Sequence, residues 1–378
     1  MWYEDKCLLS EDRLVPLSKI PQFRIIGSKY RMLKNLYKVI IENKIKGKVF
    51  FDAFSGSAVV GRYFKKMFKI ISNDNLYFLY ILQRALITLN QYPSFKNVNI
   101  KEIPLKDNNP IIRVKKVLSY LNNLKDKYEG FIYQHYTPMS KNVDGIERKY
   151  FTIDNGIKID TIRMKIEEWY QNNFITEDEY YYLIACLLFA VQKVANISGT
   201  YGAYNKFWDP RAHKPLKLRI IEVIKSNFKH EAYNEDTLNL IERIKCDIAY
   251  FDPPYNSRQY IANYHILETI ARYDNPKISG KTGIRVYSEK EKSLFCSKNT
   301  ALPALKYLIE KVNARYIILS YNSEGLLSKE EILKLLESSD RLYNIKFYEF
   351  PYRRFKSNER TANRRISEYV FFAEVREW

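Results

Sequence analysis

Short apolar runs, each handing over to a helical stretch, constrain this chain more than any other feature. Residues 48–54 and 69–72 read as buried strands, and residues 58–67 between them read as a helix. A helix between two strands implies that the strands run parallel, because antiparallel neighbours need only a tight turn. A second helical stretch follows at 76–89. The alternation returns late in the chain, with strands predicted at 230–233, 247–251 and 315–320 and helices at 237–244 and 301–312. An open, mostly parallel, doubly wound α/β sheet is the expected architecture. Residues 91–225 break the pattern with long helical stretches at 111–127, 158–170 and 177–195, and read as an insertion. Thr176 and Glu179 form a capping-box pair at the start of the third. Residues 275–286, with Pro276, Gly280 and Gly283, read as a mobile loop.

At 378 residues and 46% apolar content, the chain can bury one large core or two modest ones. The longest apolar run, 183–191, grows to about a dozen residues if the adjoining tyrosines are counted, short of the ~20 that span a bilayer. It reads as a buried helix. The opening residues Met1-Trp2-Tyr3-Glu4-Asp5 lack the basic and apolar blocks of a secretory leader, which implies a cytoplasmic protein. Cys7, Cys186, Cys246 and Cys296 are far apart and form no metal-binding spacing, so neither disulfide nor metal is expected. The net charge of +19 suits a polyanionic partner, through counterion release, and equally a lysine-rich solvated surface. Arg353, Arg354, Lys356, Arg360, Arg364 and Arg365 form its densest cluster.

The strongest chemical signal is Asp252-Pro253-Pro254-Tyr255 at the end of the 247–251 strand. Ligands of open parallel sheets sit beyond the carboxyl ends of the strands. Two prolines stiffen the turn, holding the Asp252 carboxylate and the Pro253 carbonyl as two acceptors for a planar amino group with two N–H donors. Such bonds localise the nitrogen lone pair for attack on a methyl group. Tyr255 offers a face on which a base stacks, worth ~1–3 kcal/mol. The alternative is a strand that merely ends in a proline turn. A second feature, Asp52-Ala53-Phe54-Ser55-Gly56 before a helix, lets backbone approach a ligand closely, although a tight strand-to-helix turn would look the same. Asp74, at the end of the next strand, stands where nucleotide-binding folds place a ribose-hydroxyl acceptor; a solvated helix cap is the plainer reading.

Together these residues resemble the amino-group DNA methyltransferases of the adenine-specific type found in restriction-modification systems and the Dam-like group. Gly27-Ser28-Lys29-Tyr30 looks like the family's N-terminal cofactor segment, with Lys29 and Tyr30 near the methionine part of S-adenosylmethionine. Asp52, Phe54, Ser55 and Gly56 look like its cofactor loop, Asp74 its ribose acid, and Asp236, within Asn234-Glu235-Asp236, its acid near the adenine ring. Asp252 to Tyr255 match its catalytic tetrapeptide. Ser198-Gly199-Thr200-Tyr201-Gly202-Ala203-Tyr204-Asn205 resembles a DNA-contacting segment, which nominates Tyr201, Tyr204, Asn205 and the adjoining Lys206. Residues 256–268 resemble the segment after the tetrapeptide in one branch of restriction-system enzymes, and Arg258 there joins Arg353 and Arg354 as a DNA contact. The motif order is that of the α arrangement. The loop departs from many relatives in holding one glycine.

The resemblance implies a Rossmann-like class I methyltransferase sheet formed by residues 20–90 and 226–378, with 91–225 as a helical target-recognition insertion. It implies transfer to N6 of an adenine flipped out of double-stranded DNA, without metal, and a cognate restriction endonuclease as a separately encoded partner. The rival expectations are methylation of RNA or of a protein glutamine, and a DNA-binding module with a vestigial cofactor site. His265 reads as a partly buried residue on a helix, ahead of a direct role, and Tyr321 and Asn322 are candidates to line the pocket.

Overall fold

The computed structural model describes residues 9–98, 108–352 and 366–376. Seven strands form one sheet: β1 Val49–Asp52, β2 Lys69–Asn73, β3 Glu231–Tyr233, β4 Lys245–Phe251, β5 Asn313–Asn322, β6 Leu342–Tyr352 and β7 Ile366–Val375. Their order is β3-β2-β1-β4-β5-β7-β6. All neighbours pair in parallel except β7, which runs antiparallel to both β5 and β6. Chain order reverses on either side of β1, the crevice where such sheets bind ligands.

The central strands are apolar on both faces because helices cover both. Phe50, Ile248, Tyr250 and Ile318 turn to one face, while their neighbours Phe51, Ala249, Phe251 and Leu319 turn to the other. On the first face lie α1 (Leu33–Glu42), α2 (Val59–Phe64) and α3 (Tyr77–Gln83); on the second lie two later helices, Lys298–Lys311 and Lys329–Glu337. Registers Phe51↔Ala249 and Asp52↔Tyr250 bring β1 and β4 to an end at nearly the same level. Asp52 and Asp252 therefore emerge side by side.

The insertion contributes α4 (Pro110–Asn122), α5 (Ile153–Gln171) and α6 (Glu177–Val194). Trp169 stacks on Tyr120 at 5.7 Å between α5 and α4. The apolar run read as a buried helix is the middle of α6, and Thr176 caps it with the reciprocal Glu179 bond expected. Its core is continuous with that beneath the sheet. Arg163 of α5 reaches Ile270 O at 3.0 Å on helix α7 (His265–Arg272). Arg84 after α3 pairs with Glu177 and Asp178 at 3.0 and 2.8 Å.

One expectation needs correction, and two strands lie beyond what the apolar runs show. Residues 342–352 and 366–375 form the last two strands, which the apolar-run pattern does not reveal because polar residues interrupt both. The arginine-rich stretch 353–365 joins them and lies outside the described residues, and Arg353 and Arg354 lie outside with it. Residues 275–286 are tied down rather than loose. Ile278–Ser279 pairs with Ile284–Arg285, Tyr136 Oη donates to Gly283 O at 2.9 Å, and buried Arg285 meets Asp274 at 2.8 Å.

Arg62 of α2 fastens three segments at once. Fully buried, it donates to Lys19 O, Leu86 O and Glu222 O at 3.0, 3.1 and 2.6 Å. Arg62→Met would orphan three carbonyls, each worth ~1–3 kcal/mol. Urea unfolding should show a loss of at least about 3 kcal/mol, and a loss under about 1 kcal/mol would refute the bracing role.

Candidate active site

The carboxyl ends of β1, β2 and β4 open into a cleft of about 1050 Å³, solvent at its mouth included. Lys29, Asp52, Phe54, Ser55, Gly56, Asp74, Asp236 and the tetrapeptide Asp252 to Tyr255 all line it. The sequence nominated every one of these.

The loop after β1 turns through two left-handed residues, Gly56 at φ +50° and Ala58 at φ +62°. Ala58 holds that conformation at a cost, being a non-glycine residue, and its amide closes the turn on Ser55 O at 2.8 Å. Asp52 accepts from Ser55 Oγ at 3.1 Å and from the Gly61 amide at 3.2 Å, both through Oδ2. Its Oδ1 is buried with no hydrogen-bond partner. Burial pushes Asp52 up to about 7, against the lowering effect of the Ser55 hydroxyl. Asp74 accepts from the amides of Gly56 and Leu76 at 3.0 and 3.1 Å, and burial pushes it up to about 6. Asp236 caps the short helix Thr237–Leu240 through Leu238 N at 2.8 Å.

Two organising residues escaped the sequence reading. Asn73 donates to Glu235 O and Thr237 Oγ1, both at 3.0 Å, which couples the end of β2 to the segment carrying Asp236. Buried Glu268 of α7 accepts from Tyr77 N and Phe78 N at 3.1 and 2.9 Å, capping α3. Neither partnership joins residues close in sequence, so no local pattern signals them.

The N-terminal segment crosses the cleft beside the tetrapeptide. Tyr264 Oη accepts from Ile26 N at 2.7 Å, and Tyr260 Oη donates to Ile26 O at 3.3 Å. Gly27 follows at φ +79°, where a Cβ would come within 3.3 Å of Tyr260 Oη and 3.4 Å of the Tyr255 ring. Lys29 then places its ammonium 2.8 Å from Asp252 Oδ1 and 2.8 Å from Glu368 Oε1, a residue of β7 that the sequence did not point to. Burial works to lower the Lys29 ammonium, but Asp252 and Glu368 outweigh it and hold it well above its ordinary value. Asp252 is itself pushed up to about 7 by burial, with Lys29 opposing and Glu368 adding. Leu326 N donates to Tyr255 O at 3.0 Å, and the Tyr255 ring meets Tyr321 edge-on at 6.3 Å.

Some nominated residues stand elsewhere. Tyr30 turns out of the cleft and donates to Leu17 O at 3.1 Å, so its side chain is a brace rather than a cofactor contact. Tyr201 is 1% exposed, and its carbonyl meets His265 Nε2 at 2.9 Å; a ring so buried offers DNA no surface. Tyr204 is half-buried and donates to Glu147 O at 3.0 Å, and Asn205 is half-buried against Asn196, whereas Lys206 and Arg258 are exposed. His265 is fully buried rather than partly so, and burial lowers its pKa to about 3 and keeps it neutral. Tyr321 and Asn322 back the cleft without lining it.

The donor set fits S-adenosylmethionine. Five acids, Asp52, Asp74, Asp236, Asp252 and Glu291, face one cation, Lys29, among apolar side chains including Phe54, Leu238 and Phe295. A sulfonium and an ammonium are matched by such a surface, and the orphaned Asp52 Oδ1 is an acceptor awaiting a donor. Among the described residues no group of three His, Cys, Asp or Glu side chains is placed to hold a metal ion.

A seven-stranded sheet in this order, with one antiparallel strand and an acid-lined cleft at its switch point, defines a class I Rossmann-like methyltransferase. Residues 26–335 match the D12 class N6 adenine-specific DNA methyltransferases. Among curated relatives, type II methyltransferase M.FokI of Planomicrobium okeanokoites is 45% identical over 352 residues, covering 92% of this chain and 52% of that protein. Modification methylase StsI of Streptococcus sanguinis is 38% identical, over 92% of this chain and 51% of its own length. Type II methyltransferase M.NlaIII of Neisseria lactamica is 40% identical over 90% of this chain and 94% of its own. The chain thus spans about half the length of the first two and nearly all of the third. It belongs to the D12 class N6 adenine-specific DNA methyltransferase family.

The raised acids predict the pH dependence of cofactor binding. A carboxyl whose folded pKa is raised stabilises the fold below its unfolded pKa of about 4, and that stability is lost as pH rises through the folded value. A cationic ligand favours the ionised form. S-adenosylmethionine affinity should therefore rise from pH 5.5 to 7.5, with proton release through the window of Asp74 and Asp52, about 6 to about 7. Calorimetry in buffers of different ionisation enthalpy measures both, and a flat profile would contradict the assignment.

Proposed function

We propose that this chain transfers a methyl group from S-adenosylmethionine to N6 of an adenine rotated out of duplex DNA, at a specific site. The observation that carries this reading is Asp252, mostly buried at 14% side-chain exposure, beside the Pro253 carbonyl and the Tyr255 ring at the mouth of the acid-lined cleft. When bound, the cofactor supplies a methyl group on a cationic sulfur. Asp252 and Pro253 O each accept one N–H of the amino group, and Tyr255 holds the base by stacking. Their bonds keep the nitrogen lone pair out of the ring. The nitrogen becomes positive as it gains the methyl, and Asp252 is the base to which its proton passes. Desolvation and positioning provide the rate enhancement.

The insertion, 91–225, is the region we assign to target recognition. In its last part, Leu216, Leu218 and Ile221 face inward while Lys217 and Arg219 face solvent. Asn155, Asn122 and Tyr182 lash this extended stretch to the helices through backbone bonds of 2.9, 2.7 and 3.1 Å. With Lys193 and Lys214 these cations border a groove of about 1500 Å³, open solvent included, whose one lining acid, Glu222, is paired with Lys19. We assign DNA phosphates to them, and to Lys206, Arg258, Arg353 and Arg354, with Tyr204 and Asn205 beside the DNA path. A separately encoded endonuclease as partner and a cytoplasmic setting are part of this proposal; the first is supported by the relatives' description as type II methyltransferases.

The decisive experiment offers labelled S-adenosylmethionine with unmethylated duplex DNA, RNA and protein, then maps modified bases by sequencing. Label in DNA as N6-methyladenine at one site supports the reading; label only in RNA or protein sinks it. Asp252→Ala should lower turnover by about 10²–10³-fold, the cost typical of losing one transition-state partner, while DNA binding survives. Lys217→Gln with Arg219→Gln should reduce the slope of log affinity against log salt by about 2, leaving turnover at saturating DNA unchanged. An unaltered slope in a filter-binding titration would remove these two from the DNA path.

A further inference from the structure

Glu368 stands on β7, beyond the stretch matched by the family, and is 2% exposed. It does not line the cleft. One oxygen lies 2.8 Å from Lys29 Nζ, and the other accepts from Asn322 Nδ2 at 3.1 Å. Asn322 is fixed in turn, its Oδ1 accepting from Glu324 N at 2.9 Å. The Lys29 ammonium is thus held between two carboxylates, and the three charges sum to minus one. A lysine buried for structural reasons needs one counter-ion, and Asp252 already serves. Burying a second carboxylate costs several kcal/mol, so this arrangement calls for a functional account.

We propose that Glu368 is a positioning residue for methyl transfer: it holds the Lys29 ammonium from behind the cleft, leaving Asp252 its negative charge and a free oxygen for the amino group of the target base. The proposal rests on the adenine reading above. Without Glu368, Lys29 would be neutralised by Asp252 alone, and the catalytic carboxylate would be tied up in a salt bridge. With it, the amino nitrogen meets a site of net charge minus one as it becomes positive.

The charged and titratable groups facing Asp252 are Lys29 from the N-terminal segment, Glu368 from β7, Asp52 from β1, Tyr250 from β4 and Tyr260 from the short helix Tyr260–Asn263. Among them Glu368 raises the Asp252 pKa and Lys29 lowers it. Replacing Glu368 by a neutral residue therefore moves the ionisation of Asp252 to lower pH, while tightening its bond to Lys29.

The test is kcat against pH for wild type, Glu368→Gln and Glu368→Asp, on duplex DNA carrying the adenine site. Glu368→Gln should lower plateau kcat on the order of 10- to 100-fold and shift the acid limb to lower pH, with the cofactor Kd from calorimetry held within about twofold. Glu368→Asp, which keeps the charge on a shorter arm, should leave the acid limb in place and recover part of kcat; it also serves if the glutamine variant fails to fold. For Glu368→Gln an unchanged kcat, a loss without displacement of the limb, or a parallel loss of cofactor binding overturns the proposal alone, and so does a displaced acid limb in Glu368→Asp. Wild type that leaves adenine unmethylated overturns the parent reading and this one together.

Discussion

The cation held by Asp252 and Glu368 joins three distant parts of the chain, the N-terminal segment, the end of β4 and the antiparallel β7. At 2.8 Å each pair gains about 6 kcal/mol of Coulomb energy at an effective dielectric near 20. Removing three charges from water costs a comparable amount, so the cluster adds little net stability. Its contribution is placement. A lysine so fixed brings Gly27 against Tyr255 and Tyr260, and the glycine's left-handed backbone is what lets the segment pass that close. Cofactor cleft and base site thereby share one wall.

The signs of charge are sorted in space. A chain of net charge +19 gathers five acids in the cleft proposed for the methyl donor, and carries cations at the edge of the insertion. The cleft repels phosphate and accepts a cation or a neutral ring. An unstacked base is neutral and escapes the electrostatic penalty that a phosphate would meet there. In the function proposed above, the basic edge supplies the sequence-independent grip that holds the duplex while the base is out.

Strands whose flanking helices bury both faces were legible because burial on both faces leaves uninterrupted apolar runs, as in Phe50-Phe51 and Ile248 to Phe251. The cleft was legible because its main chemistry sits at the ends of those strands, in short motifs. What failed had other causes. In β7, Ser367, Glu368 and Tyr369 interrupt the apolar pattern, because the first residues of this strand meet the polar Asn322 and Lys29. Tyr201 lies in a motif that the family resemblance assigns to DNA contact, yet no sequence spacing tells which way a ring turns. Lys29 is a cofactor residue by its motif; that it bridges residues 252 and 368 is a fact of the folded chain alone.

The insertion is joined to the catalytic sheet by buried contacts rather than by a linker. Tyr181 of α6 packs edge-on against Tyr80 at 5.5 Å, with the Arg84 guanidinium 4.4 Å above its ring, and Arg163 is anchored on the carbonyls of α7, the helix that caps α3 through Glu268. These are side chains in close-packed surroundings, which resist gradual deformation. With target recognition proposed for the insertion, a surface so attached keeps a fixed distance from Asp252. On that proposal the adjustment that brings adenine to the cleft falls on the DNA, whose backbone rotates and whose stack opens at a cost of a few kcal/mol. On the proposed function, discrimination between sites arises from that division of labour, because a sequence is methylated only if its contacts with the fixed surface offset the cost of opening at the one base that reaches Asp252.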